Sequence, residues 1–199
     1  MSGIIADNIS SNSGLIKAPS AGVWVKISAV SASSSATVSF TSGLDSTYSK
    51  YCFIFNNIHP GTGDEEFTFN MSIDSGSNYN VAKTTTYFRS VHDEANSYTN
   101  LGYDTGRDLA QGTGFQPLSS GVDAAADGSV SGYLYLFEPS STTYVKHYIS
   151  VVNAMVTTAY SMNDYSAGYA NTTSAVDAVQ FKMASGNIDA GIITLYGIN

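Results

Sequence analysis

Cysteine, charge and long apolar runs are all scarce in this 199-residue sequence. A single cysteine, Cys52, permits no intrachain disulfide and no multi-cysteine metal site. Charged residues make up 12% of the chain, about half the usual globular share. Ala, Glu, Lys, Leu and Arg do not dominate, so a coiled coil is out. The 8 Lys and Arg are outnumbered by 16 Asp and Glu, which leaves a net charge of −8. A nucleic-acid binder needs a basic stripe to release counterions from phosphates, and none is present. Anionic membrane surfaces are disfavoured by the same arithmetic. The longest apolar stretches, such as Tyr133-Leu134-Tyr135-Leu136-Phe137, are far too short to cross a bilayer, so no membrane insertion is expected. The opening Met1-Ser2-Gly3-Ile4-Ile5 has no basic n-region and no long apolar h-region, so no signal peptide is expected. With 43% hydrophobic residues, the chain also lacks the composition of intrinsic disorder.

What is present points to strands and turns. Roughly a quarter of the residues are Ser or Thr, beside 18 Gly and 14 Tyr. Residues 1–22 carry isolated apolar pairs, Ile4-Ile5 and Leu15-Ile16, in a small polar background, which reads as an extended N-terminal arm able to dock on a neighbour. From Val23 the period becomes two. Val23, Val25, Ile27 and Ala29 alternate with Trp24, Lys26 and Ser28, and Val30 to Ser35 reads as a Ser-rich turn. Tyr51 to Phe55 is apolar on both faces, as in a central strand. Phe67, Phe69, Met71 and Ile73 alternate cleanly, with Tyr79 to Phe88 as the expected hairpin partner. Residues 91–127 are expected to be irregular with one or two short strands, and later strands fall near 132–137, 144–152, 154–160, 179–183 and 192–198. Eight to ten strands with turn chemistry between them predict an all-β chain. The expected architecture is one β-sandwich over residues 23–199, of jelly-roll or Greek-key type.

Catalytic patterns find no support. Gly128-Ser129-Val130-Ser131-Gly132 places valine where a nucleophile elbow needs serine. His59, His92 and His147 are far apart and share no metal-ligand spacing. Asp64-Glu65-Glu66 lies on one segment and cannot face itself across a glycosidic bond. Asp74 to Asn78 resembles half a calcium loop, but Thr85 stands where a bidentate Glu belongs. Gly61-Thr62-Gly63 and Gly112-Thr113-Gly114 lack the third glycine of a phosphate cradle, so no cofactor is expected. Cys52 reads as an inert small hydrophobe. Tyr98, Tyr103, Tyr160, Tyr165 and Tyr169 are different, because each is expected in a polar, amide-rich loop. Flat apolar faces beside adaptable hydrogen bonds suit subunit contacts or a host surface glycan.

Several blocks carry a family resemblance. They are Ser2-Gly3-Ile4-Ile5 through Ser13-Gly14-Leu15-Ile16-Lys17-Ala18, Ser39 to Tyr48 with Tyr51, Phe53 and Phe55, Pro139 to His147, and Val179 to Gly191. Together they resemble virion structural proteins of tailed bacteriophages, marine ones in particular. The resemblance implies a non-enzymatic tail- or fibre-associated subunit, assembled in the host cytoplasm and resident in the virion. It would join copies of itself, with a trimer favoured, and other virion proteins, docking through its N-terminal arm. A capsid decoration or head fibre protein is the neighbouring expectation, and a carbohydrate-binding host-recognition module the competing one.

Overall fold

The computed structural model describes residues 23–157 and 159–199. The docking-arm residues Ile4, Ile5, Leu15 and Ile16 lie outside the described residues. Twelve antiparallel strands build two sheets, with no helix among the described residues. They are β1 (Trp24–Ser35), β2 (Val38–Phe40), β3 (Lys50–Pro60), β4 (Glu65–Ser72), β5 (Lys83–Asp93), β6 (Thr99–Tyr103), β7 (Gln116–Val122), β8 (Val130–Phe137), β9 (Lys146–Val156), β10 (Tyr160–Ala170), β11 (Ala178–Met183) and β12 (Ile188–Ile198). The larger sheet runs β1-β12-β3-β8-β9-β10-β5-β6, and the smaller runs β2-β11-β4-β7. Most connections cross from one sheet to the other; β5–β6 and the β8–β9–β10 meander stay within the larger one.

The strands form where alternation or full apolarity predicts burial. Tyr51, Cys52, Phe53 and Phe55 of β3 are buried, as a strand flanked by β12 and β8 requires. Phe67, Phe69 and Met71 of β4 meet Val179, Phe181 and Met183 of β11 across the smaller sheet. These side chains join Ile193 and Leu195 of β12 in one apolar cluster between the sheets. Phe181 is its hub, with ring centroids 5.1 to 6.4 Å from Phe53, Phe55, Phe67, Phe69 and Phe40.

Three expectations need correction. The Val30–Ser35 segment is not a turn: β1 continues to Ser35, which pairs with Ile188. A bulge between Lys26 and Ser28 shifts its alternation, and the strand lies at the sheet edge, so Val23 and Val25 are exposed while Ile27 and Val30 pack on the core. Tyr79–Phe88 is not the hairpin partner of β4 either. The chain crosses to the larger sheet, where β5 pairs with β10 and β6. The third concerns tyrosines expected in loops: Tyr103 is the last residue of β6, and Tyr160, Tyr165 and Tyr169 lie along β10, a full-length strand paired on both sides. Its Gly, Ser and Asn content masks it, because pairing on both edges overrides weak intrinsic propensity. Gly168 is needed there: a Cβ would come within 2.5 Å of the Thr84 carbonyl oxygen.

Candidate functional site

Strands β9, β10, β5 and β6 carry the larger sheet on from β8, and on their inner face buried polar side chains stand beside Tyr148, Val152, Met162 and Val91 of the same apolar cluster. Side chains alternate along a strand, so Asp164 and Ser166 of β10 point the same way as Lys83, Thr85 and Tyr87 of β5, and all five are buried. Strand β7 covers them and is itself buried from Gln116 to Val122. Polar groups buried at this density need partners. Asp164 accepts from the Ser120 backbone N–H at 2.8 Å and from the Ser120 hydroxyl at 3.0 Å. Thr85 donates to Gln116 Oε1 at 2.7 Å and accepts from the Leu109 N–H at 2.8 Å. Burial pushes the Asp164 carboxyl above its ordinary pKa, against the pull of these hydrogen bonds and of Arg107.

Two buried lysines belong to the same region. Lys83 donates to Asn70 Oδ1 at 2.6 Å and to the Val81 carbonyl at 2.9 Å. Neither acceptor is a carboxylate, and desolvation pushes the lysine pKa down to about 7. Lys146 donates to the carbonyls of Tyr144 and Thr172, and burial lowers its pKa as well.

Charge is concentrated where the 104–116 segment folds back over this face. Arg107 places Nη1 2.6 Å from Asp104 Oδ2 and Nε 2.8 Å from Glu66 Oε1. Arg89 reaches the same Asp104 oxygen at 3.4 Å. The hydrogen bonds from Arg107 and the Gly106 N–H, with the charges of Arg107 and Arg89, hold the Asp104 carboxyl below its usual range despite partial burial. Glu66 moves the other way, because desolvation outweighs its contact with Arg107.

Beside this cluster, β5, β6 and β10 frame a cleft of about 360 Å³. Val91 and Met162 form its floor, Arg89, Asn100 and Asp104 supply polar atoms, and Tyr98 and Tyr160 close one end. The two tyrosine rings lie 5.8 Å apart at 31°. Asp93 shapes the turn behind them, accepting from the backbone N–H groups of Ser97 and Tyr98 at 2.8 Å each and from the Ser97 hydroxyl. Those bonds hold the Asp93 carboxyl below its usual pKa. Tyr103 stands at the rim with its hydroxyl 2.6 Å from Asp108 Oδ2.

The five tyrosines therefore separate. Tyr98, Tyr103 and Tyr160 line the cleft. Tyr165 lies on the opposite face of β10, stacked on Phe88 at 4.6 Å and 4°. Tyr169 shares that outer face with His147, in a shallow groove that includes Ile149. Sequence reasoning missed Arg89, Asn100 and Asp104 as companions of the tyrosines. The usable signal was a charge inside a strand pattern, Arg89 in β5 and Asp164 in β10, in a chain with few charges to place.

The histidines stay apart: His59 contacts the Gly128 carbonyl at 2.6 Å, and His92 contacts Asn96 at 3.1 Å. Among the described residues no group of three or more His, Cys, Asp or Glu is arranged to hold a metal ion. Cys52 is buried in β3, and desolvation pushes its thiol up to about 12. Comparison with protein-family models, with curated proteins and with solved structures finds no match to this chain.

Proposed function

We propose that this chain is a structural subunit of a tailed-bacteriophage virion, tail- or fibre-associated, which packs against copies of itself. The observation that carries this reading is the outer face of the larger sheet. Trp24, Phe88, Leu101, Ile149 and Ile192 are all exposed large apolar side chains on strands of that sheet. Half-buried Tyr133, Tyr135 and Phe137 continue the same surface in a ladder of aromatic contacts. Exposed apolar side chains gathered on one sheet face mark protein interfaces, and aromatic residues are enriched in them. The scarcity of charge fits close packing better than long-range steering of a partner. The role is assembly rather than catalysis.

Fold order supports the same reading. With the hairpins β5–β6 and β9–β10 set aside, eight strands remain. Renumbered in chain order, they give 1-8-3-6 in one sheet and 2-7-4-5 in the other. That is the order of a jelly roll, an architecture used in viral capsid domains among others. In this reading, residues 23–199 form one jelly-roll domain, the two hairpins widen one sheet, and residues 1–22 attach the domain to neighbouring virion proteins. A trimer is the copy number favoured, and the particle is assembled in the host cytoplasm.

Immunogold labelling of intact particles tests the location: label on the tail supports this proposal, label on the head favours a capsid decoration or head fibre protein, and no label overturns both. A chain lacking residues 1–22 is expected to fold and to be left out of particles. Normal incorporation of that truncated chain would overturn the docking role.

A further inference from the structure

The cleft framed by β5, β6 and β10 has no part in the assembly reading, because it opens on the face opposite Phe88 and Tyr165. We propose that it binds a neutral saccharide, with Tyr98 as the stacking face and Arg89, Asn100 and Asp104 as the groups that read hydroxyls.

Three properties of the cleft support that ligand class. The first is size, since about 360 Å³ lies at the small end of ligand sites and suits one or two sugar rings. The second is its mixture of walls. Tyr98 is 45% exposed and offers a ring face, while Val91, Met162 and Tyr160 form an apolar floor and end. A pyranose has the same division, with C–H groups on its faces and hydroxyls around its edge. Aromatic rings meet the faces, and planar polar side chains meet the edge.

The third is the state of the polar groups. The contacts of Arg89 with described residues, to Ser120 Oγ, Met162 Sδ and Asp104 Oδ2, all use Nη1. Its Nε and Nη2 are left to donate to a ligand, in a side chain 37% exposed. Asn100 spends its Nδ2 on the Tyr98 hydroxyl at 3.1 Å, which orients the amide and leaves Oδ1 as an acceptor. Asp104 is anchored by Arg107 and by the Gly106 N–H, so it is held rigidly as a second acceptor. Donor and acceptors converge from two strands and one loop, and the tyrosine that stacks is tied to the asparagine that bonds.

Charge selects a neutral sugar over an acidic one. Arg89 is already countered by Asp104, and the only other nearby guanidinium, that of Arg107, is engaged by Asp104 and Glu66. Among the described residues no second free cation faces the cleft to bind a carboxylate or phosphate, and the chain carries a net −8. Hydroxyl recognition by Arg and Asp together needs no net charge on the ligand.

The experiment is a glycan array carrying both neutral hexose- or N-acetylhexosamine-terminated glycans and sialylated or uronic acid glycans, followed by titration calorimetry on the hits. Neutral glycans are expected to bind and acidic ones not. Tyr98→Ala and Arg89→Met are each expected to weaken binding about tenfold, equivalent to about 1.4 kcal/mol. Tyr169→Ala, on the other face, is expected to leave it unchanged. Thermal unfolding of each variant separates a lost site from a lost fold, and Asn100→Ala offers a second polar probe at an exposed position. Retention of neutral glycans by a folded Tyr98→Ala variant would overturn the assignment. So would binding restricted to acidic glycans, or no binding by the unaltered chain. None of these outcomes bears on particle labelling, so this site and the virion role fail separately.

Discussion

The two halves of this molecule share a backbone architecture and differ in what lies between the sheets. In one half β1, β12, β3 and β8 face β2, β11 and β4 across an interior of phenylalanine, isoleucine and leucine. In the other, β9, β10, β5 and β6 are covered by β7 and the 104–116 segment, and the interior adds Lys83, Thr85, Asp164, Ser166, Gln116 and Ser120 to apolar residues such as Tyr148, Val152, Met162 and Leu118. The first interior is held by area and shape, which many residue combinations can satisfy. The second adds directional bonds, where each partner must be in place and a missing one leaves a buried polar group unmet. An apolar core supplies stability, whereas a polar one fixes a single arrangement of the strands above it. The cleft with Tyr98, Arg89 and Asp104 sits on the half that carries this hydrogen-bonded network.

The comparison breaks most visibly at Phe181. Its ring meets five other phenylalanines, and it is fully buried. Phe181→Ala should cost about 3–5 kcal/mol, through lost transfer energy and the cavity left behind. Urea unfolding followed by far-UV circular dichroism would read this as a lower midpoint at an unchanged slope. If the apolar half dominates stability, the polar half unfolds with it in one transition. A variant that keeps an ordered β5–β10 region after the apolar half has melted would show that the halves fold independently.

The apolar half is also the half that sequence patterns reveal. Tyr51–Phe55, Phe67–Ile73 and Val179–Met183 are legible because burial on one or both faces leaves a period of two or a solid apolar run. The polar half hides for the complementary reason. In β10 the inward positions mix Met162 and Ala170 with Asp164 and Ser166, and the outward ones mix Tyr165 and Tyr169 with Ser161 and Asn163, so the alternation is blurred and the segment resembles a loop. In β1 a bulge breaks the alternation. The tyrosines of the cleft were recognisable as a type but not as a group. Tyr98 and Tyr160 are 62 residues apart in sequence, and only pairing of β10 and β6 on either side of β5 brings them together. Long-range pairing of that kind is set by tertiary packing and leaves no local signal.

A smaller effect is expected at Asp164, where charge and hydrogen bonding can be separated. Asp164→Ala removes both acceptors of Ser120 and should destabilise the protein by about 1–3 kcal/mol, because a buried N–H loses its partner. Asp164→Asn keeps an acceptor and removes a carboxylate that burial already disfavours, so at pH 7 it should be close to neutral. Denaturant midpoints for the two variants provide the measurement. Equal losses would mean that the charge itself matters, through Arg107, more than the bonds to Ser120.

The finest distinction between the halves is their response to pH, and Lys83 is the group to follow. Its folded-state pKa lies near 7 against 10.5 in the unfolded chain. Between those values the unfolded state binds more protons than the folded one, so stability rises with pH across that window. Below pH 7 the lysine is protonated in both states, and the cost of burying its charge is present in full. The gradient contributed by one such group is at most about 1.4 kcal/mol per pH unit. Lys83→Met removes it, and the Met71 N–H at 2.9 Å still serves Asn70 Oδ1. Denaturant unfolding of both proteins from pH 7 to pH 10 should therefore diverge, with the unaltered chain gaining stability relative to the variant at each step. Taking the difference between the two cancels the titration of other groups, including the many tyrosines. Parallel profiles would mean that Lys83 keeps its charge inside the fold at these pH values. Its bonds to Asn70 and the Val81 carbonyl would then solvate an ammonium as well as water does, and the polar half would be held by charge rather than by neutral hydrogen bonds.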